Sequence, residues 1–240
     1  MPETSKTADQ ALTVLLELTK SGATTPAELA RRLEMNRTVV HRLLATLHGR
    51  GFVTRTDAGY APGAILVALA ERVQPELRAA AASVMSELGG KIGETAVMHI
   101  ADGDDAMVLE EYVATGHVVR VEHEIGSRHP LAKGASGRAL LAYLDDTAIA
   151  RVLRRSDNAE ALNRQLELVR QLGYALSHDE LQEGVHGLAV PVFDRPGHAL
   201  ASLAIIVPTT RAAGISDHLD ELLAASERVA ASLYGESVRA

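Results

Sequence analysis

TPAELARRLEMNRTVVHRLLATLHGRGFVTRTDAGYAP, running from Thr25 to Pro62, is the stretch that decides how this chain folds. Thr25 before Pro26, with Glu28 three residues on, has the form of a capping box with proline in the first helical turn. The helix it opens, Pro26 to Leu33, turns Leu29 and Leu33 toward a core. After the short turn Glu34-Met35-Asn36, a second helix is predicted from Arg37 to about His48, with Asn36 as its N-cap. Val39, Leu43, Leu44 and Leu47 mark its apolar face, and Arg37, Thr38, His41 and Arg42 project from its first turns on the other side. Two short helices joined by a tight turn, the second basic at its start, make the helix-turn-helix pattern. Gly51 to Arg55 and Tyr60 to Gly63 read as two short strands around the turn Thr56-Asp57-Ala58-Gly59. A hairpin directly after a recognition helix is a wing.

A helix fits the major groove, where early polar side chains reach base edges while flanking arginines meet phosphates. Arg37, Thr38, His41 and Arg42 are therefore the base-edge candidates, and Arg50 and Arg55 the phosphate candidates. Thr25, at the start of the first helix of the pair, is counted with them. The competing reading is a three-helix protein-interaction module with solvated arginines. The order of cap, turn, basic helix and hairpin favours DNA. Upstream, Ala11, Leu12, Val14, Leu15, Leu16 and Leu18 form the apolar stripe of a first helix that stops at Ser21-Gly22.

Bulk properties agree with a basic reader on an acidic body. The 240 residues are 47% hydrophobic and 23% charged, as in an ordinary globular protein, and the net charge is −7. Residues 1–72 hold nine Lys and Arg against seven Asp and Glu, a surplus of two, while the remainder holds 15 against 24, a deficit of nine. Between Arg31 and Arg55, six arginines face the single acid Glu34. No apolar run approaches the roughly 20 residues of a membrane span, and Met1 to Gln10 lacks the apolar core of a signal peptide, so a cytoplasmic protein is expected. With no cysteine, disulfides, thiolate metal sites and cysteine nucleophiles are excluded together.

Downstream of the head, Ala64 to Val73 reads as an apolar helix interrupted by Pro75, and Glu76 to Leu88 as its alanine-rich continuation, ending at Gly89-Gly90. Such a connection suits packing on a partner subunit or, equally, on its own domain. The expected organisation is a winged helix-turn-helix over 1–63, linker helices over 64–90 and a larger domain over 91–240. In that domain, strands are expected at Thr95 to Ala101, Met107 to Val113 and Val118 to His123, then helices at Ser136 to Asp145, Asp146 to Arg155 and Ala159 to Leu172. Two more strands, Val185 to Phe193 and Ala199 to Val207, precede a final amphipathic helix from Ser216 to Tyr234. Strands, a helical insertion and strands again describe an α/β (α+β) sheet with helices packed on it. Gly134-Ala-Ser-Gly137 leads straight into a helix, so its N–H groups form a ready carboxylate site; small residues chosen for close packing are the alternative.

Three ordered stretches resemble the IclR family of bacterial regulators: Pro26 to Val53 its DNA-binding domain, GSRHPLAKGASGRALLA (Gly126 to Ala142) its central sensor signature, and Gly173-Tyr-Ala, Glu180, Gly184-Val and Ala189-Val-Pro-Val its C-terminal signature. The resemblance implies a GAF-like effector-binding domain, homodimers that often pair into tetramers, and control by small organic or aromatic acids. By matching motifs, it carries the apolar wall of the pocket to Val118, Val121, His129 and Val185, the loop contacts to Ala135 and Ser136, and the polar positions of small-acid sensors to Ser177, Gly187, Ala204 and Ile206. An acidic residue, a cysteine and serines common in such sensors are thereby replaced with less polar groups. An aromatic or extended carboxylate is expected in place of glyoxylate or pyruvate, with His129 as an added polar contact. No enzyme is expected, because Arg138 stands where G-x-S-x-G needs its last glycine and a hydrolase would need that elbow. No cofactor and no metal is expected: His117, His123 and His129 recur every six residues, which is not a ligand spacing. The partners implied are a pseudo-palindromic double-stranded DNA operator, the effector and a second copy of the chain, with no membrane.

Overall fold

The computed structural model describes residues 4–235. Contacts divide the chain into two compact units, Met1–Pro75 and Glu76–Ala240.

The first unit opens with α1 (Lys6–Ser21), capped by the Ser5 hydroxyl. Val14, Leu15 and Leu18 are buried, but Leu12 and Leu16 are mostly exposed, so only part of the expected stripe reaches the core. A stripe on one helix is wider than the strip its two neighbours cover. Helices α2 (Pro26–Arg32) and α3 (Arg37–Gly49) follow, with Thr25 and Asn36 as N-caps. The capping box is only half made. The Thr25 hydroxyl accepts from the Glu28 N–H at 3.3 Å, but the Glu28 carboxylate turns to Arg31 and Arg32. On α3 the core residues are Val40, Leu43, Leu44 and Leu47; Val39 is half-buried, one position off the predicted face. Strands β1 (Val53–Thr56) and β2 (Gly59–Pro62) pair antiparallel, Thr56 opposite Gly59, around the two-residue turn Asp57-Ala58. Thr24 bridges Tyr60, and the approach explains Gly59: a Cβ there would lie 2.4 Å from the Thr24 carbonyl oxygen, at a φ of +131°. A short helix, α4 (Ile65–Ala70), buries none of its residues fully, although Leu66 packs on the core of this unit.

Helix α5 (Pro75–Ile92) begins at Pro75, which occupies its first turn without interrupting it, and runs through Gly89-Gly90 where a stop was expected. Gly89 is used for packing: a Cβ there would sit 2.2 Å from the Tyr112 ring. Leu77, Ala81, Val84, Met85 and Leu88 of this helix are buried in the core of the second unit. One face of α5 thus packs on its own domain.

The second unit is a six-stranded antiparallel sheet in the order β5-β4-β3-β8-β7-β6, built from β3 (Thr95–Asp102), β4 (Asp105–Tyr112), β5 (Arg128–Pro130), β6 (Ala175–His178), β7 (Val185–Arg195) and β8 (His198–Pro208). Val118 to His123 is not a strand. The edge of β4 that it would need is filled by Gly126, Ser127 and β5, so the segment between β4 and β5 has no ladder to join. Strands β5 and β6 are too short to show a period-two pattern and go unseen in the sequence. Helices α6 (Gly134–Leu141), α7 (Asp146–Leu153) and α8 (Ala159–Leu172) pack on one sheet face, while α5 and α9 (Leu219–Tyr234), preceded by a 3-10 segment (Thr209–His218), pack on the other. Alternation assigns the faces. Leu188, Val190, Leu203 and Ile205 point to α5 and α9, whereas Ala189 and Ala204 point to α6 and let it approach closely. All eight residues of α6 are buried.

Among the described residues no helix is long and apolar enough to cross a membrane.

Candidate functional site

The first unit gathers its polar candidates on one surface. Arg37, Thr38, His41 and Arg42 lie at i, i+1, i+4 and i+5 of α3, opposite the buried Val40, Leu43, Leu44 and Leu47, and all four are exposed. Thr25 and Arg37 line the same groove of about 410 Å³ between α2 and α3. Arg50 is the C-cap of α3, and Arg55 is exposed on β1 opposite Tyr60. The six arginines of this region are not equivalent. Arg31 and Arg32 both bond Glu28, whose pKa is lowered to about 2 by hydrogen bonds from Arg31 and then Arg32, and Arg32 also reaches Glu17. Arg37, Arg42, Arg50 and Arg55 make no ion pair among the described residues. Positive charge is thus neutralised along α2 and left available on α3 and the hairpin, which is where a phosphate backbone can use it.

In the second unit, α6 reaches the sheet over small residues. A Cβ added to Gly187 would lie 3.0 Å from Ser177 Oγ and 3.5 Å from Ala135 Cβ, so Ala135, Ser177 and Gly187 share one spot, with Ser177 opposite Gly187 in the ladder. Gly134 has a φ of +74°, and a Cβ there would be 2.7 Å from Leu181 Cδ1 and 3.6 Å from His129 Cε1. Val121, Ile206 and the half-buried Val185 form a small apolar cluster with Val97 and Val108. Ala204 is fully buried on the face toward α6, and Ser136 is buried on α6 itself. Val118 is corrected: it is 99% exposed on the segment that failed to form a strand, and it lines nothing.

One carboxylate already uses the start of α6. The Gly134 N–H donates to Glu180 at 3.0 Å, and the Glu180 carboxylate takes both terminal nitrogens of Arg138, at 2.5 and 2.7 Å. Arg138 also donates to the Leu176 carbonyl at 2.7 Å. Burial raises the Glu180 pKa, but the bonds from Arg138 and Gly134 outweigh it and hold the carboxyl below its ordinary range. The remaining early N–H groups of α6 have no partner within the helix, and its N-cap residue, Lys133, makes no side-chain cap bond.

Sequence reasoning missed a polar group on the same sheet face. His99 on β3 stands opposite Ser202 on β8; both are fully buried, and among the described residues neither the His99 ring nitrogens nor Ser202 Oγ has a hydrogen-bond partner. His129 Nε2 is buried and unpartnered too, and the His129 and His123 rings lie 5.2 and 6.1 Å from that of His99, centroid to centroid. Burial, above all, pushes the pKa of each of these histidines down, most strongly at His99, which also feels His129 and His123. The signal was available: His99 and Ser202 interrupt the apolar residues of two strands at positions facing the same side as Val97 and Ala204. His117, the first of the six-residue series, lies by Gly93 instead.

Comparison with known proteins agrees with both halves. The family model described as bacterial transcriptional regulator IclR C-terminal matches residues 73–233, and that of the MarR family matches residues 7–60. The chain is 28% identical over 226 residues to the Pca regulon regulatory protein of Pseudomonas putida, covering 88% of this chain and 78% of that protein. An IclR transcriptional regulator from Alicyclobacillus acidocaldarius superposes with a TM-score of 0.79 at 28% identity, over 96% of this chain and 99% of the other. An IclR homolog from Microbacterium hydrocarbonoxydans, solved in complex with 4-hydroxybenzoate, shares the fold with a TM-score of 0.78 at 22% identity, over 93% of this chain and 98% of that one. With the family model spanning most of the chain and a helix-turn-helix ahead of it, this protein belongs to the IclR family of bacterial transcriptional regulators.

Proposed function

We propose that this regulator reads a pseudo-palindromic operator as a homodimer, and that a small carboxylate, aromatic or extended in shape, changes its grip on that operator. The observation that carries the DNA half is the division of the arginines. Those of α2 are spent on Glu28 and Glu17, while Arg37, Arg42, Arg50 and Arg55 face outward beside a hairpin. Arg37, Thr38, His41 and Arg42 then meet base edges, with Thr25, Arg50 and Arg55 on the backbone. Two recognition helices about one turn of DNA apart would read the two half-sites. Arg42→Ala should lose specific binding in a gel-shift assay while calorimetry shows effector affinity unchanged; the reverse pattern refutes the assignment.

For the effector half, support comes from Ala135, Ser136, Ser177, Gly187 and Ile206 around the start of α6, with Val121 and Val185 as apolar neighbours. A glycine at 187 beside a serine at 177 gives this spot one hydroxyl and no charge. That suits a flat acid better than a keto acid of two or three carbons, which would be short of hydrogen bonds. The neighbour bound to 4-hydroxybenzoate lends the same direction to the reading. Calorimetry with benzoate, 4-hydroxybenzoate, glyoxylate and pyruvate decides it: tighter binding of glyoxylate or pyruvate establishes the small-acid alternative. No catalytic role is assigned, since the serine of α6 lacks the glycine turn of a nucleophile elbow.

A further inference from the structure

We infer that His99, Ser202 and His129 form a second, uncharged end of the effector site, which takes a hydroxyl group on an aromatic acid. The inference rests on the carboxylate reading above and adds what the other end of the ligand must be.

Four buried polar atoms on one sheet face lack partners among the described residues: His99 Nδ1 and Nε2, His129 Nε2 and Ser202 Oγ. Buried polar groups in native proteins are almost always hydrogen-bonded, and leaving one unsatisfied costs about 1–3 kcal/mol, so a cluster of four marks a place where something else is bound. It adjoins the loop at the start of α6, because His129 Cε1 lies 3.6 Å from where a Gly134 Cβ would be. The strand positions agree. His99 and Ser202 are cross-strand neighbours one pair along from Val97 and Ala204, and His129 pairs with Ala106 on the same face.

The chemistry of the cluster selects the group. Burial disfavours the charged form of all three histidines. His129 donates its Nδ1–H to the Pro130 carbonyl and has Nε2 left as an acceptor, while His99 offers one N–H donor and one bare nitrogen acceptor, and Ser202 offers both kinds. A second carboxylate would find no positive charge here. A hydroxyl, which donates once and accepts, matches a neutral imidazole and a serine together. Between the two ends the wall is Val97, Val108, Val121 and Ile206, which favours a ring over a polar chain. Val121 and His123 lie on the irregular segment between β4 and β5. It is tied down by the His123 N–H on Glu111 at 2.5 Å and by Arg211 on the Val119 carbonyl at 3.2 Å, and admitting a ring requires no strand to break.

The test is calorimetry on the full chain with benzoate, 4-hydroxybenzoate and zinc chloride, for the native protein and Ser202→Ala. The native protein should bind 4-hydroxybenzoate about tenfold more tightly than benzoate. Ser202→Ala should bring the two within twofold by weakening 4-hydroxybenzoate. Thermal melting checks that the variant folds, and His99→Gln, which keeps a donor and an acceptor, should retain part of the preference. If both acids bind without preference, or Ser202→Ala leaves the preference intact, the inference is overturned and the carboxylate reading stands. If neither acid binds, that reading falls and this one with it. Saturation by zinc with no response to either acid assigns the histidines to a metal and overturns both.

Discussion

Replacing Glu180 with alanine should strand a buried cation at the start of α6. The Arg138 side chain is 5% exposed, and its partner Glu180, 31% exposed, meets both of its terminal nitrogens. Breaking a buried pair from one side costs about 3–5 kcal/mol. Here the Leu176 carbonyl still accepts from Arg138, and water reaches the Glu180 side, so the expected loss is about 2–3 kcal/mol. At about 2–4 °C per kcal/mol for a unit of this size, the midpoint should drop by about 4–12 °C. Differential scanning calorimetry reads the shift, and Arg138→Leu combined with Glu180→Ala supplies the control. With no charge left in the site, the double variant should be more stable than Glu180→Ala alone. A single variant within about 0.5 kcal/mol of the native protein, a typical surface effect, would refute the reasoning. So would a double variant no more stable than the single one.

Arg55→Ala should weaken binding to all DNA sequences alike and make the salt dependence shallower by about one counterion, measured by fluorescence anisotropy over a salt series; a selective loss at one base pair would make it a base contact. Stability should fall on acidification. His99, with a folded pKa well below the ordinary 6.5, stays neutral while the unfolded chain takes up a proton. The contribution is full above about pH 6.5 and is lost as the pH drops toward the folded value, by up to about 1.4 kcal/mol per pH unit for one such group. Urea denaturation of the native protein and of His99→Leu between pH 8 and 5 should show a shallower fall in the variant; parallel curves would exclude His99 as the source.

Local signals explain why the head was legible. Thr25, Pro26 and Asn36 act on their own neighbours through capping, and the turn at Asp57-Ala58 through backbone geometry, so each element announces itself within a few residues. The errors there were of face: Val39 for Val40, and Leu12 and Leu16 counted as core. Burial is set by which side the neighbouring helices cover, and no single helix records that. In the second unit the long hairpin strands were visible through their apolar runs, but the segment from Val118 to His123 shows the limit. Its alternation was that of a strand, and the only question was whether an edge remained for it. That edge had gone to Gly126, Ser127 and β5, which carry almost no pattern of their own.

By itself the sequence determined the helix-turn-helix, the basic face of α3, the hairpin after it, the glycine-rich start of α6 and, through three ordered motifs, the family. Tertiary structure decided which of these groups meet. Pairing of β3 with β8 sets His99 against Ser202 across a hundred residues of chain, and Glu180 closes on Arg138 and Gly134 from 40 or more residues away. Contacts of that range depend on strand order and register, which are properties of the assembled sheet, so no local stretch of sequence carries them.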